Sequence, residues 1–432
     1  MTIESLYSEF LQSEGISTDT RKDVKGTLFF ALKGDNFDGN RFVHDALQKE
    51  CRLAITENRK LDGEPRVIWV SSVLEVLQQL ANYHRIKASP QVLAITGSNG
   101  KTTTKELVAG ILSKKYSLLA TKGNLNNHIG VPLTLLSLEQ EEVAVIEMGA
   151  NHRGEIRRLA EIAAPDLGLI TNVGKAHLEG FGSAEGVLYA KSELFEYLSA
   201  HGGKAIIDGR DPLLLKRAEE TGVKKVVIGP HGEQPVTIQI VNQSPYLEVE
   251  LNMEGEVHHF TTRLVGSYNL QNILLAVGVG IQFGIPAGAI VEAIGSYVPE
   301  NHRSQFVKGD RNQLTLDSYN ANPSSMREAI SGLLAYASPP LMLILGDMAE
   351  LGESSLDEHK ALLRWLEKMP IERILLVGSI FSAVCEPASR MNVFRERSEL
   401  EAYLDAEKPE DYHILVKGSR VMELEEILKF LV

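Results

Sequence analysis

Apolar runs broken by glycine-rich turns set the dominant pattern along the middle of this chain. Val92 to Thr96, Val143 to Glu147, Leu167 to Thr171 and Lys204 to Asp208 are short and mostly apolar, as strands buried on both faces are. Helical stretches separate them, which predicts a mainly parallel sheet with helices on both sides. From about residue 225 to 265 apolar and polar residues alternate, in Val236 to Ile240, Tyr246 to Leu251 and His258 to Leu264. Alternation predicts antiparallel strands with one wet face. A helix is expected from Asn269 to Phe283, and Pro286 and Pro299 bracket another. Beyond them Leu314 to Asp317, Leu341 to Gly346, Arg373 to Gly378 and His413 to Val416 predict a second parallel α/β unit. Before the first run, strand-like Leu28 to Leu32 and Val67 to Val70 mix with helix-like Phe42 to Lys49, a small α/β unit.

Ala88-Ser89-Pro90 interrupts the helix expected from Val73 to Lys87, because proline cannot donate to a helix and biases its predecessor to extended backbone. With a second boundary near Pro299, the units are 1–88, 89–298 and 299–432. At ~150 residues per domain, 432 residues fit about three domains. Apolar and charged fractions of 44% and 23% exclude a largely disordered chain. The excess of 57 acidic over 44 basic residues gives a charge of -13. That excludes the extended basic surface of a sequence-independent nucleic-acid binder, and any anionic ligand must be met by local cations. Cys51 and Cys385 form neither a disulfide framework nor a cysteine zinc site, which fits a reducing compartment. Glu4 stands where a signal peptide carries basic residues, and no apolar run approaches the roughly 18 residues of a membrane span. The expectation is a cytoplasmic protein without membrane insertion.

Candidate chemistry begins where Val92 to Thr96 runs into Gly97, Ser98, Asn99, Gly100, Lys101, Thr102 and Thr103, followed at once by a helix with Leu107, Val108, Ile111 and Leu112 on its apolar face. Glycines let backbone N–H groups turn toward phosphate oxygens, and the helix start adds its positive dipole end. Lys101 can reach the outer phosphates and the Thr102 hydroxyl can ligate Mg2+. The bland alternative is a glycine turn before a helix. Ile95 stands five before Gly100, so the spacing is shorter than that of the common phosphate loop. Glu147 ends its apolar run at the carboxyl edge of the sheet, where such folds bind ligands, and can complete the Mg2+ site with Thr102. His177 follows the next run and comes to the same edge. In the helix from Ala184 to Leu198, Lys191 shares a face with Val187, Leu188, Leu194, Phe195 and Leu198. Two readings stay open: a buried amine that loses its proton and takes up CO2 as a carbamate, an oxygen ligand for a hard cation, or a lysine snorkelling from the helix edge.

These motifs resemble the Mur ligase family over almost the whole chain. Its marks include Asp19-Thr20-Arg21, Phe29 to Gly34, Phe37-Asp38-Gly39, the Gly97 to Thr103 loop, Gly123 to Asn127, Ile129 to Thr134, Glu147 to His152, His177 to Ser183 and Ala190-Lys191. Asp317 to Pro323, Gly346 to Gly352 and Val416 to Arg420 resemble the branch that adds D-alanyl-D-alanine to UDP-MurNAc-tripeptide. The resemblance implies ATP-dependent amide ligation with two Mg2+ ions, Thr102 and Glu147 holding one, His177 and carbamylated Lys191 the other. It therefore favours the carbamate at Lys191. It implies Asn269 and Asn272 on the adenine side, against the bland readings of a helix cap and a surface amide. Arg303 and Asp317 match the third unit's nucleotide positions, with Arg303 sensing the γ-phosphate on domain closure. Arg21, Lys33 and Gly34 match the uridine-nucleotide positions, and Asn127 a loop approaching the same substrate. Lys417 and Ser419 match the D-alanyl-D-alanine side. A monomer is expected. Two departures stand out: Leu316 precedes Asp317 where the family often has a second aspartate, and His302-Arg303-Ser304 replaces a common Gly-Arg.

Overall fold

The computed structural model describes residues 2–34, 37–175, 178–253, 255–299, 303–386 and 390–432. Near the start, Ile16–Ser17, Leu28–Phe30, Leu53–Thr56 and Val67–Trp69 form a four-stranded parallel sheet. The helix Val73–Ala88 follows, capped by the Ser72 side chain and ended by Ser89 in the left-handed conformation. It buries Val73, Leu77, Leu80 and Ala81. That apolar face packs on the helices Gly130–Leu135 and Glu155–Ala163. The core of the first unit is thereby continuous with one side of the central sheet.

The central sheet is parallel throughout, in the order Lys224–Ile228, Lys204–Asp208, Leu167–Ile170, Gln91–Thr96, Val143–Glu147, Leu118–Ala120. The four inner strands are the apolar runs. The two edge strands carry weaker signals: Leu118–Ala120 is only three residues long, and Lys224–Ile228 starts on two lysines. From Gln91–Thr96 the chain builds first to one side and later to the other, so its carboxyl end lies at the switch point where open α/β sheets bind ligands. A three-stranded antiparallel sheet, Val236–Gln243, Tyr246–Met253 and Glu256–Val265, buries Leu247, Val249, Leu251 and Met253 in a core shared with the helices Asn269–Gln282 and Ala287–Ser296.

The third unit is a six-stranded sheet in the order Gln305–Lys308, Gln313–Asp317, His413–Lys417, Leu341–Gly346, Arg373–Val377, Met391–Phe394. The four strands expected to be parallel are so, and the sheet adds an antiparallel edge strand that the sequence leaves unmarked, since Gln305–Lys308 pairs antiparallel with Gln313–Asp317. The connection between them spans only residues 309–312, enough for a hairpin and far too short for a crossover. Among the described residues no helix is long and apolar enough to cross a membrane.

Candidate functional site

The glycine loop is shaped by close approach. Gly97 has φ +145° and a Cβ there would meet Thr171 Oγ1 at 2.0 Å; Gly100 has φ +77° and a Cβ would meet Asn272 Oδ1 at 2.2 Å. Only glycine fits either place. The extension of strand Leu167–Ile170 holds the loop from below. Asn172 Oδ1 accepts the Asn99 N–H at 3.0 Å, while Thr171 Oγ1 and Asn172 Nδ2 donate to the Asn99 carbonyl at 2.6 and 3.1 Å. The Ser98 hydroxyl accepts the Gly174 N–H at 2.9 Å. Lys101 folds back on the loop, its Nζ donating to the Gly97 and Ser98 carbonyls at 2.7 and 3.2 Å. Burial, with the Arg303 charge adding, holds its pKa below the ordinary lysine value. On the neighbouring strand Glu147 is 2% exposed. Its Oε2 accepts from Thr102 Oγ1 at 2.9 Å and its Oε1 from Asn126 Nδ2 at 2.8 Å. We expect Gly100→Ala to weaken ADP binding roughly tenfold, since the left-handed conformation alone costs a residue with a Cβ ~1–2 kcal/mol; calorimetric titration would read it.

Lys191 lies on the helix Ala184–His201 and is fully buried. It does not snorkel. Its Nζ donates to the Ala150 carbonyl at 3.3 Å and stands 5.3 Å from the centre of the Phe181 ring. Burial first, and the Lys101 charge second, push its pKa well below the usual value. The loop that carries Ala150 is fixed by two acids. Glu193 accepts the N–H groups of Gly154 and Arg157 at 2.7 and 3.0 Å, and Glu155 those of Asn151 and His152 at 2.7 and 3.1 Å. His177, the remaining predicted metal ligand, lies outside the described residues, as does His302. Among the described residues no three His, Cys, Asp or Glu side chains cluster as a metal site.

The third unit closes the opposite wall. The Arg303 guanidinium stacks 3.7 Å from the centre of the Tyr319 ring, and its buried Nε has no hydrogen-bond partner among the described residues. Asp317 Oδ2 pairs with Lys417 Nζ, and Lys417 also donates to the Asn320 carbonyl at 3.0 Å. Lys417 is therefore seated beside Asp317. Ser419 is buried away from this wall; its N–H bonds the Asp347 carbonyl at 3.1 Å. Asn269 and Asn272 are both buried and follow neither bland reading. Asn269 Nδ2 donates to the Val265 carbonyl at 2.8 Å, Asn272 Nδ2 to Asn269 Oδ1 at 2.9 Å, and Thr104 Oγ1 to Asn272 Oδ1 at 3.2 Å. Asn322, the cap of helix Pro323–Tyr336, extends Nδ2 to Asn99 Oδ1 on the phosphate loop at 2.8 Å. Close by, Lys175 Nζ pairs with Glu358 at 2.6 Å.

Between these walls lies a cavity of 680 Å³ lined by Ser98 to Thr103, Asn127, Glu147, Asn269, Asn272, Arg303, Asp317 and Lys417. Candidate positions scattered from residue 98 to 417 thus meet around one space. Gly97 shapes the loop beneath it. Arg21, Lys33 and Gly34 do not line it. Arg21 is exposed and forks onto Asp19, which it holds at a pKa of about 2; Lys33–Gly34 forms an exposed two-residue strand paired with Phe37–Asp38. Asn127 also caps the following turn, accepting the N–H groups of Ile129 and Gly130 at 3.1 and 2.8 Å. Other lining residues received no role from the sequence, Glu328 and Asn126 among them. Glu328 faces both this cavity and an adjoining one of 570 Å³, and no pattern around it singles it out. Asn126 lies in one of the family motifs, but nothing in its spacing assigns it to Glu147.

Strand, glycine loop, lysine and helix, faced by a carboxylate and closed by a second α/β unit, define a phosphate-loop nucleotide-binding protein. Residues 95–280 match the Mur ligase middle domain and residues 302–420 the Mur ligase, glutamate ligase domain. The UDP-N-acetylmuramoyl-tripeptide–D-alanyl-D-alanine ligase of Bacillus subtilis is 35% identical over 97% of this chain and 93% of its own length. The crystal structure of MurF from Acinetobacter baumannii is similar with a TM-score of 0.90 at 33% identity, covering 100% of this chain and 98% of that one. MurF ligase from Thermotoga maritima in complex with ADP gives 0.86 at 26% identity, covering 97% of each. The chain belongs to the Mur ligase family.

Proposed function

We propose that this chain joins D-alanyl-D-alanine to UDP-N-acetylmuramoyl-tripeptide with conversion of ATP to ADP and phosphate, a step of peptidoglycan precursor synthesis. The reading is carried by full-length likeness to the Bacillus subtilis ligase of that name, and the cleft geometry supports it. The γ-phosphoryl group passes to the tripeptide carboxylate, giving an acyl phosphate. The dipeptide's neutral amine then forms an N–C bond to the carbonyl carbon, and the tetrahedral species gives the nitrogen's extra proton to solvent and expels phosphate as the C–O bond breaks. Two anions must meet in the first step, so positive charge has to converge on them. Lys101 supplies it by exchanging the Gly97 and Ser98 carbonyls for the outer phosphates, and Arg303 supplies it from the far wall. Asn269, Asn272 and Asp317 hold the nucleoside.

The oxygen donors fit a hard cation. Thr102 and Glu147 would hold one Mg2+, His177 and carbamylated Lys191 a second. When bound, Mg2+ neutralises the phosphate oxygens. At Lys191 the neutral amine forms an N–C bond to CO2 and releases one proton; its burial and lowered pKa support that chemistry. Arg21, Lys33, Gly34 and Asn127 serve the uridine nucleotide, while Lys417 serves the dipeptide; Ser419, buried away from the cleft, takes no such role. The three units 1–88, 89–298 and 299–432 then divide the work as uridine nucleotide, ATP, and nucleotide clamp with incoming amine. Phosphate release from ATP should require UDP-MurNAc-tripeptide and D-alanyl-D-alanine together. Strong turnover with the UDP-MurNAc-dipeptide and a diamino acid would assign the chain to a sister branch instead.

A further inference from the structure

The phosphate-loop helix Lys101–Leu112 carries a second lysine that no step above uses. Lys105 lies one turn beyond Thr102 and is 1% exposed. Its Nζ donates to the Thr121 carbonyl and to Glu106 Oε1, each at 2.6 Å. Thr121 follows the three-residue edge strand Leu118–Ala120; its N–H bonds the Val145 carbonyl at 3.0 Å. Its hydroxyl oxygen accepts the N–H of Glu147 at 2.9 Å, and the Glu147 carboxylate in turn accepts from Thr102. The contacts close a circuit from the helix through Thr121 and Glu147 back to the same helix.

Burying an ammonium is costly, and an apolar side chain of similar length would fill the same space without that cost. What the charge adds is a short, directional tie to a carbonyl at the edge of the sheet. We propose that Lys105 is a positioning residue for the Glu147 carboxylate: it fixes Thr121, whose hydroxyl holds the carboxyl end of strand Val143–Glu147 against the phosphate-loop helix. The inference rests on the reading of Thr102 and Glu147 as metal ligands.

Calorimetric titration of the full chain with ADP, in Mn2+ and in EDTA, separates the possibilities. Lys105→Met and Thr121→Val should each weaken Mn2+–ADP binding roughly tenfold or more, as loss of a partner behind a metal ligand does, while binding of metal-free ADP is unchanged. Thr121→Ser keeps the hydroxyl and should bind as the parent does. The double variant Lys105→Met/Thr121→Val should be no worse than either single one, because both break the same link. Undiminished Mn2+–ADP affinity in Thr121→Val, equal weakening with and without metal, or additive losses would overturn the proposal. Should Lys105→Met fail to fold, the two Thr121 variants decide. A parent protein that binds ADP equally with and without Mn2+ would instead remove the metal reading underneath.

Discussion

Replacing Lys191 by alanine is expected to lower kcat about a thousandfold, or ~4 kcal/mol of transition-state stabilisation, with partial recovery in a high concentration of acetate or formate. On the proposed carbamate reading, the added carboxylate would replace the oxygen donors that the carbamate supplies. A lysine kept for packing predicts something different. Its amine is fully buried, with a 3.3 Å bond to the Ala150 carbonyl and the Phe181 ring beside it, so the charged form is poorly compensated. Thermal unfolding of Lys191→Met, which keeps the volume without the amine, should therefore show a Tm equal to or above that of the parent, whereas Lys191→Ala also opens a cavity. The sign follows from proton binding: a lysine whose pKa is lower in the folded state than the ordinary value of 10.5 binds fewer protons folded than unfolded. That term destabilises the fold at neutral pH and vanishes as pH rises past the unfolded value. Activity runs the same way, because CO2 adds to the neutral amine and protonation reverses it, so kcat should fall as pH drops through the folded pKa. Loss of activity with no response to acetate in Lys191→Ala, and a lowered Tm in Lys191→Met, would make Lys191 a structural residue.

Glu147→Gln should cost a comparable factor, about a thousandfold in kcat, and raising Mg2+ should not restore it. Glutamine keeps the size of the side chain and an oxygen for the Asn126 amide. It removes the charge and places an NH2 where Oε2 accepts from Thr102. The strand should remain intact, so metal-free ADP binding and Tm serve as controls. Retained turnover in this variant would show that the carboxylate is not a metal ligand.

The parts of the site legible in the sequence are those encoded by neighbours along the chain. Gly97 to Thr103 follows its strand directly, Glu147 ends an apolar run, and the inward direction of Lys191 follows from helical spacing. What escaped depends on pairings between distant segments. Asn322 lies inside a family motif with no role of its own, and its bond to Asn99 spans 223 positions. Nothing in the sequence around Lys105 marks it, since the edge strand Leu118–Ala120, followed by the Thr121 carbonyl that it bonds, is too short to leave a pattern. Asn269 and Asn272 are placed on the adenine side only by the family resemblance; the sequence around them offers a cap and a surface amide, because their burial needs the loop to dock and Gly100 leaves no side chain to announce that contact. In the third unit the antiparallel partner Gln305–Lys308 is half-buried and lacks the apolar run that marks the inner strands.

The seat of helix Pro323–Tyr336 on the phosphate loop sets an energy scale for opening the cleft. Its own ties there are the amide pair Asn322 to Asn99 and the Ser324 hydroxyl, which accepts the Lys175 N–H at 3.1 Å; around it the third unit adds the partly exposed ion pair Lys175 to Glu358, the hydroxyl pair Tyr268 to Ser304 at 2.6 Å and the Glu179 N–H to the Glu350 carbonyl at 3.3 Å. A hydrogen bond between neutral groups contributes about 1 kcal/mol and an exposed ion pair about as much or less. Together they bias the seated arrangement by up to about 5 kcal/mol, a factor of roughly a few thousand at most, since about 1.4 kcal/mol is tenfold. A nucleotide that bridged Lys101 and Arg303 through charge-assisted bonds, each contributing about 1.5–3 kcal/mol, would offer differential affinity of the same order. The resting balance between seated and separated units is thus within the reach of ligand occupancy, as a shift between two populations.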